Sequence, residues 1–179
     1  MTPRFEKLGE EELLGGRIVS FKRVRVRAPD GHEFEREVLR HPGVVAVVPL
    51  HDDGTVTLVR QYRVAIDQDM LELPAGTRDV EGEPPDVAAA RELAEEAGLA
   101  AAQMDEVLTY FVAPGMTDEA IVLFVARGLD EVPTDRHGPE EHAMTIERIS
   151  VSEALRMIDD GRITDAKTII GLTLAARHL

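Results

Sequence analysis

The chain has 179 residues, 44% of them hydrophobic, with no cysteine or tryptophan and a formal net charge of −14. That length suffices for a buried core, and the lack of thiols excludes disulfides and thiolate zinc sites. So acidic a chain with so few aromatics is a poor partner for nucleic acid. No apolar run is long enough to span a bilayer. The first residues, Met-Thr-Pro-Arg-Phe-Glu, hold no apolar signal region, so the cytoplasm is the expected location.

In chain order, residues 17–27 alternate as a half-exposed strand, Pro29-Asp30-Gly31 signals a turn, and residues 34–40 return as the second arm of a hairpin. Val44-Val45-Ala46-Val47-Val48 is a continuous apolar run suited to a strand covered on both faces. Gly54 predicts a second hairpin, with residues 55–60 returning, and residues 71–73 form a short strand. Pro84-Pro85-Asp86 opens a helix with Asp86 as N-cap, and Gly98 closes it. Strands follow over 104–112 and 120–126, then a polar, mobile loop over 130–142 and a strand over 144–149. Ser152 caps a helix that Gly161 stops, and an Ala/Leu/Ile-rich helix spans 166–178. This order predicts an α+β fold.

The chemistry concentrates in Arg91-Glu92-Leu93-Ala94-Glu95-Glu96-Ala97-Gly98-Leu99, preceded by the loop Gly76–Glu83. Residues 92 and 96 share a helix face, with 95 beside them. Like charges so spaced repel by roughly 0.2–0.5 kcal/mol per pair, and a hard divalent cation reverses that penalty. On a free surface the same residues would be a solvated face, with Arg91–Glu95 an ordinary i,i+4 ion pair.

Gly76, Glu83, Arg91-Glu92, Glu95-Glu96 and Gly98-Leu99 together resemble the Nudix box, with one residue more than the family pattern between Gly76 and Glu83. Gln61-Tyr62-Arg63, Leu71-Glu72-Leu73-Pro74-Ala75-Gly76 and Tyr110-Phe111-Val112-Ala113-Pro114-Gly115-Met116-Thr117-Asp118-Glu119 look like the ADP-ribose pyrophosphatase branch of that superfamily. The resemblance implies an α/β/α sandwich with a mixed central sheet and an N-terminal antiparallel hairpin sheet. It divides the chain into an N-terminal hairpin and dimerisation segment over 1–41 and a Nudix hydrolase domain over 42–179. It also implies divalent-metal-dependent cleavage of ADP-ribose to AMP and ribose 5-phosphate. Another nucleoside diphosphate sugar, of GDP-mannose or ADP-sugar type, is the alternative substrate. A non-catalytic ADP-ribose sensor is the alternative of a different class.

The resemblance also assigns residues. Glu92, Glu95, Glu96 and the backbone carbonyl of Ala75 would hold two or three Mg²⁺ or Mn²⁺ ions. Arg91 would orient the carboxylates, and Glu83 would support the loop. A glutamate on the late loop would serve as general base; Glu140 and Glu141 both qualify, and alignment of the following strand favours Glu141. Arg63 and Arg36 would contact phosphates, Gly115 and Met116 would approach the substrate, and Glu119 would bind ribose hydroxyls. Residues 1–40 carry a net charge of +1 and the remainder −15. The arginines Arg23, Arg25 and Arg27 share one face of their strand. By charge alone this suits either an exposed edge strand protected by its charges or a strand laid on an acidic neighbour. The resemblance, whose branch commonly crosses its N-terminal hairpin to a partner subunit, implies the second, a homodimer with swapped N-terminal strands.

Overall fold

Charge complementarity between strands organises the N-terminal sheet. The computed structural model describes residues 4–178, and in it β1 (Glu6–Gly15), β2 (Ser20–Arg27) and β3 (Glu33–Arg40) form an antiparallel sheet in the order β1-β2-β3. The expected hairpin is its β2–β3 half. Between them Gly31 N–H donates to Ala28 O at 2.9 Å and Asp30 Oδ1 accepts from His32 N at 3.0 Å, with Gly31 at φ 87°. The left-handed backbone there is why the turn needs glycine.

β1 was not expected from sequence. Its residues, Glu-Lys-Leu-Gly-Glu-Glu-Glu-Leu-Leu-Gly, contain no β-branched or aromatic side chain, so strand propensity gives no signal. Its glutamates instead face the cations of β2: Glu6 pairs with Arg27 at 2.9 Å, and Glu12 pairs with Lys22. From β3, Glu33 holds Arg27 at 2.7 Å, and Glu35 and Glu37 flank Arg23 at 3.4 and 3.7 Å. Arg23 and Arg27, offered by the sequence to an acidic neighbour, are thus matched by glutamates of their own sheet. With these strands, residues 110–120 complete one compact unit (Met1–Gly43 and Tyr110–Ala120); the second comprises Val44–Thr109 and Ile121–Leu179.

The second unit follows in chain order: β4 (Val44–Pro49), β5 (Thr55–Arg63), β6 (Gln68–Glu72), β7 (Ala75–Thr77), α1 (Pro85–Ala97), β8 (Leu99–Phe111), β9 (Ala120–Glu131), α2 (Gly138–His142), β10 (Thr145–Ser150), α3 (Val151–Asp159) and α4 (Ala166–Ala175). Tyr110 and Phe111, at the end of β8, and Ala120, at the start of β9, belong to the first unit. A mixed sheet runs β7-β4-β9-β8, with β4 parallel to β9 and antiparallel to β7, and a smaller sheet runs β10-β5-β6. β4 and β5 therefore do not pair as the expected hairpin: they join different sheets, and the antiparallel contact at the turn is confined to the bridge Leu50–Val56, just past the end of β4, and the bond from His51 N to Thr55 O at 2.9 Å.

Helices cover both faces of the mixed sheet. Val45 and Val47 of β4, with Val122 and Phe124 of β9, join Ala88, Ala89, Leu93 and Ala97 of α1 in one buried cluster. Residues of the opposite parity point the other way. There α4 comes so close that a Cβ on Gly171 would lie 2.9 Å from the Val48 side chain and 2.5 Å from that of Leu73. This is the α/β/α arrangement.

Helix ends differ from expectation by a residue or two. Pro84 is the N-cap of α1 and Pro85 its first residue, so Asp86 lies inside the first turn rather than capping it. Gly98 ends the helix in the left-handed conformation at φ 65°. Ser150, not Ser152, caps α3 by accepting from Glu153 N at 3.1 Å. Ser150-x-x-Glu153 has the spacing of a capping box. The last helix ends at Ala175 and continues as one 3-10 turn over Ala176–His178. Among the described residues no helix is long and apolar enough to cross a membrane.

Candidate active site

The carboxylates of α1 do not lie on a solvated face. Its buried positions are Ala88, Ala89, Glu92, Leu93, Glu96 and Ala97. The row Ala89–Leu93–Ala97 enters the apolar core, and the adjoining row Ala88–Glu92–Glu96 carries the acids. Glu92 is 9% exposed and Glu96 5%. Burying two carboxylates one turn apart is expensive unless something compensates their charge.

β7 provides part of that compensation. Ala75 N–H donates to Glu96 Oε2 at 2.9 Å. At the next residue, a Cβ on Gly76 would fall 1.9–2.3 Å from the three terminal atoms of Glu92. Glycine there leaves the space that the Glu92 carboxylate fills. Arg91 supplies the rest: its Nη1 donates to Glu92 Oε1 at 2.8 Å and to Glu95 Oε2 at 3.0 Å, while Nε and Nη2 grip Glu83 at 3.2 and 3.1 Å. The i,i+4 pair is thus one of three ion pairs that Arg91 makes. Arg91 ties the loop before the helix to the acids on it and holds Glu83 below the usual carboxylate range.

Even so, negative charge is in excess. Burial pushes Glu96 up to about 8, aided by the charges of Glu92 and Glu141 and opposed by the Ala75 N–H. Glu92 is also raised, by burial first, against the pull of Arg91. Among the described residues no three histidine or acidic groups converge as a ready-made metal cage. The donor set nonetheless fits a hard divalent cation. Two buried carboxylates in one row share a deficit of positive charge, and a Cβ-free cradle at Gly76 receives one of them.

The segment expected to be a mobile loop over 130–142 holds α2 and is tethered. Arg136 donates to Met144 O at 2.7 Å and to Glu96 O, inside α1, at 3.1 Å. Glu141 Oε2 accepts from His137 N at 2.6 Å, and its charge reaches both Glu92 and Glu96. Glu141 is partly buried, whereas Glu140 is exposed. Arg136 was missed from sequence because a lone arginine in a polar stretch gives no sign that it bonds a backbone carbonyl of α1, 40 residues earlier in the chain.

Arg63 also belongs to this unit. Its guanidinium forms a two-pronged pair with Glu72, both bonds at 2.7 Å. Its charge registers at Glu96, so it joins the same electrostatic neighbourhood. Glu72 and its second partner, Lys167, were likewise missed: β6 and α4 bring them together from 95 positions apart.

The remaining candidates lie in the first unit. Arg36, on β3, is exposed, lies 4.4 Å over the Phe34 ring and donates to Glu35 O. Gly115 and Met116 occupy a turn in which Met116 N donates to Ala113 O at 2.8 Å, and Met116 O accepts from Leu39 N at 2.9 Å. Glu119 is half-buried, its backbone held by Val112 and Thr117. Asp118 accepts from Arg40 and from His41 N, both at 3.0 Å, which gives it a structural role.

Comparison with known proteins follows the same lines. The family model for the NUDIX domain matches residues 39–170. The chain is 40% identical over 168 residues to an ADP-ribose pyrophosphatase of Mycobacterium tuberculosis (strain ATCC 25618 / H37Rv), covering 94% of this chain and 81% of that protein. It is 30% identical to an ADP-ribose pyrophosphatase of Bacillus subtilis (strain 168), covering 90% and 86%. Among solved structures, an ADP compounds hydrolase superposes with a TM-score of 0.85 at 23% identity, covering 98% of this chain and 94% of that one, a likeness of fold.

Proposed function

Because the chain belongs to the NUDIX family, we propose that it hydrolyses the diphosphate of ADP-ribose to AMP and ribose 5-phosphate. The observation that carries this reading is the buried Glu92–Glu96 row against Ala75 and Gly76. A hydrolase of an anionic diphosphate needs charge neutralisation, an aligned water and a proton acceptor. NUDIX hydrolases generally need a divalent metal ion; here Mg²⁺ or Mn²⁺, two or three per site, would be held by Glu92, Glu96, Glu95 and the Ala75 carbonyl. When bound, such ions neutralise the diphosphate oxygens.

The protein's own groups do the rest. Arg91 fixes Glu92 and Glu95 in place and anchors Glu83. Glu141, beside the two buried acids, accepts the proton of the attacking water. One phosphorus–oxygen bond of the bridge breaks as the water oxygen bonds to that phosphorus, and the departing phosphate monoester leaves as the second product. Arg63 binds the diphosphate, which suits the planar donor fork of arginine. Arg36, Gly115, Met116 and Glu119 are assigned to the substrate's phosphates and ribose.

Chelator-treated protein is expected to be almost inactive on ADP-ribose, and added Mg²⁺ to restore formation of AMP and ribose 5-phosphate in equal amounts. Full turnover without divalent ions, or a preference for other nucleoside diphosphate sugars in a parallel panel, would overturn this reading.

The protein is further proposed to be a cytoplasmic homodimer that exchanges N-terminal strands. Support comes from the apolar side chains that the first unit exposes, among them Phe5, Leu14, Phe111 and Met116. Cross-strand ion pairs already satisfy Arg23 and Arg27, so the apolar residues are the stronger argument. Sedimentation equilibrium at micromolar concentration should give twice the chain mass; a fully active monomer would refute the dimer.

A further inference from the structure

Lys167 breaks two positional rules at once. It is only 8% exposed. It also lies in the first turn of α4, two residues past the N-cap Asp165, where the positive end of the helix dipole disfavours a cation. Violations of this kind cluster where function demands them. Its ammonium meets Glu72 Oε2 and, at 3.1 Å, Asp165 Oδ1. Glu72 is 1% exposed, and its other partner is Arg63, whose Nε and Nη2 form a parallel fork onto both carboxylate oxygens. Burial pushes Glu72 up, yet the two cations outweigh it and hold the group ionised, below its ordinary range.

This arrangement fixes Arg63 and preserves its charge. The fork engages Nε and Nη2 and leaves Nη1 outside it, on a side chain that is 40% exposed. Because Glu72 is shared with Lys167, it does not cancel Arg63 one for one. The same turn of α4 fixes the neighbouring backbone. Thr168 Oγ1 accepts from Leu73 N at 2.9 Å, Pro74 O accepts from Val47 N at 3.0 Å, and the next amide, Ala75 N, binds Glu96. One helix end therefore supports both the arginine and the strand that borders the acids.

We infer that Lys167, acting through Glu72, is a positioning residue for substrate binding: it orients the Arg63 guanidinium and leaves its charge incompletely countered by Glu72, free to act on a diphosphate. This rests on the assignment of Arg63 to the diphosphate under the proposed function. Without Lys167, Glu72 can swing with Arg63 and neutralise it, so diphosphate affinity falls while the acids that carry out turnover are untouched.

The test uses the full chain as wild type, Arg63→Ala, Lys167→Met, Lys167→Arg and the double variant. Two readouts are taken: steady-state kinetics on ADP-ribose, and the dissociation constant of ADP by calorimetry. Arg63→Ala should weaken both KM and ADP binding about 10- to 100-fold, the range for losing charge-assisted hydrogen bonds. Lys167→Met should weaken them about 10-fold with kcat changed less than about threefold, and Lys167→Arg should recover most of the loss. In the Arg63→Ala background, Lys167→Met should add nothing, because its effect runs through the missing arginine. A lysine that only supported the fold would lower thermal stability and active fraction, leave KM alone and add to Arg63→Ala; that result overturns the inference, as does an unchanged ADP affinity in a folded Lys167→Met. If Lys167→Met does not fold, Glu72→Gln takes its place in the cycle: weaker ADP binding that vanishes in the Arg63→Ala background supports the inference, and unchanged or additive binding overturns it. A wild type that binds ADP but does not cleave ADP-ribose would refute the proposed function while the calorimetric cycle still decides the role of Lys167. A wild type that binds no ADP refutes both.

Discussion

Replacing Glu141 by glutamine should lower kcat on ADP-ribose by about 10²–10⁴, the range for a lost general base, and leave KM within about threefold. The expectation comes from placement. Glu141 is the acid of α2 whose charge reaches Glu92 and Glu96, and its backbone anchor is the His137 N–H. A glutamine side chain still offers a carbonyl oxygen to that N–H, so the short helix should keep its shape. What disappears is the proton acceptor. Exposed Glu140 is the internal control: Glu140→Gln should change kcat less than about threefold, as surface substitutions usually do. Stopped-flow or single-turnover measurement separates this from slow product release. If Glu140→Gln does the damage and Glu141→Gln does not, the base has been assigned to the wrong residue of the pair.

What the sequence disclosed and what it hid follow from the range of each signal. The α1 motif was legible because its signals are local: proline at the start, glycine at the end, acids at i and i+4 between them. Its burial was not, since a row of glutamates next to a row of alanine and leucine looks like an ordinary amphipathic boundary until β7 is seen to pass over it. β1 was hidden for the opposite reason. Its stabilising partners are cross-strand cations, and pairing Glu6 with Arg27 or Glu12 with Lys22 requires the register. The β4–β5 hairpin was misread because glycine marks a turn without saying whether the strands it joins pair with each other. Lys167, Glu72 and Arg136 act across long sequence separations, where composition and periodicity carry no information. Even so, a lysine two residues past an N-cap aspartate is a local anomaly that could have been noticed.

Gly76→Ala should cost about 10²-fold or more in kcat/KM, the scale of a misplacement of about 1 Å at a reacting centre, while barely changing stability. The two halves of this expectation have separate causes. Gly76 is not among the glycines at positive φ, and it pairs with Val45 in the β4–β7 ladder, so alanine suits its backbone. Reduced freedom of the unfolded chain would even favour alanine by about 0.4–1 kcal/mol. The added methyl, however, would fall 1.9–2.3 Å from the carboxylate end of Glu92, much closer than atoms can approach. The flexible acid gives way rather than the strand, so the fold survives and the acid moves. Glu92 then leaves Arg91 Nη1 and loses its alignment with Glu96 in the buried row. Thermal melting should therefore give a midpoint near that of the wild type, while Mg²⁺ titration of activity should show a higher concentration for half-activation and a lower maximum. Wild-type activity in a folded Gly76→Ala variant would mean that the position of the Glu92 carboxylate does not matter for turnover, and the site built on it would have to be abandoned.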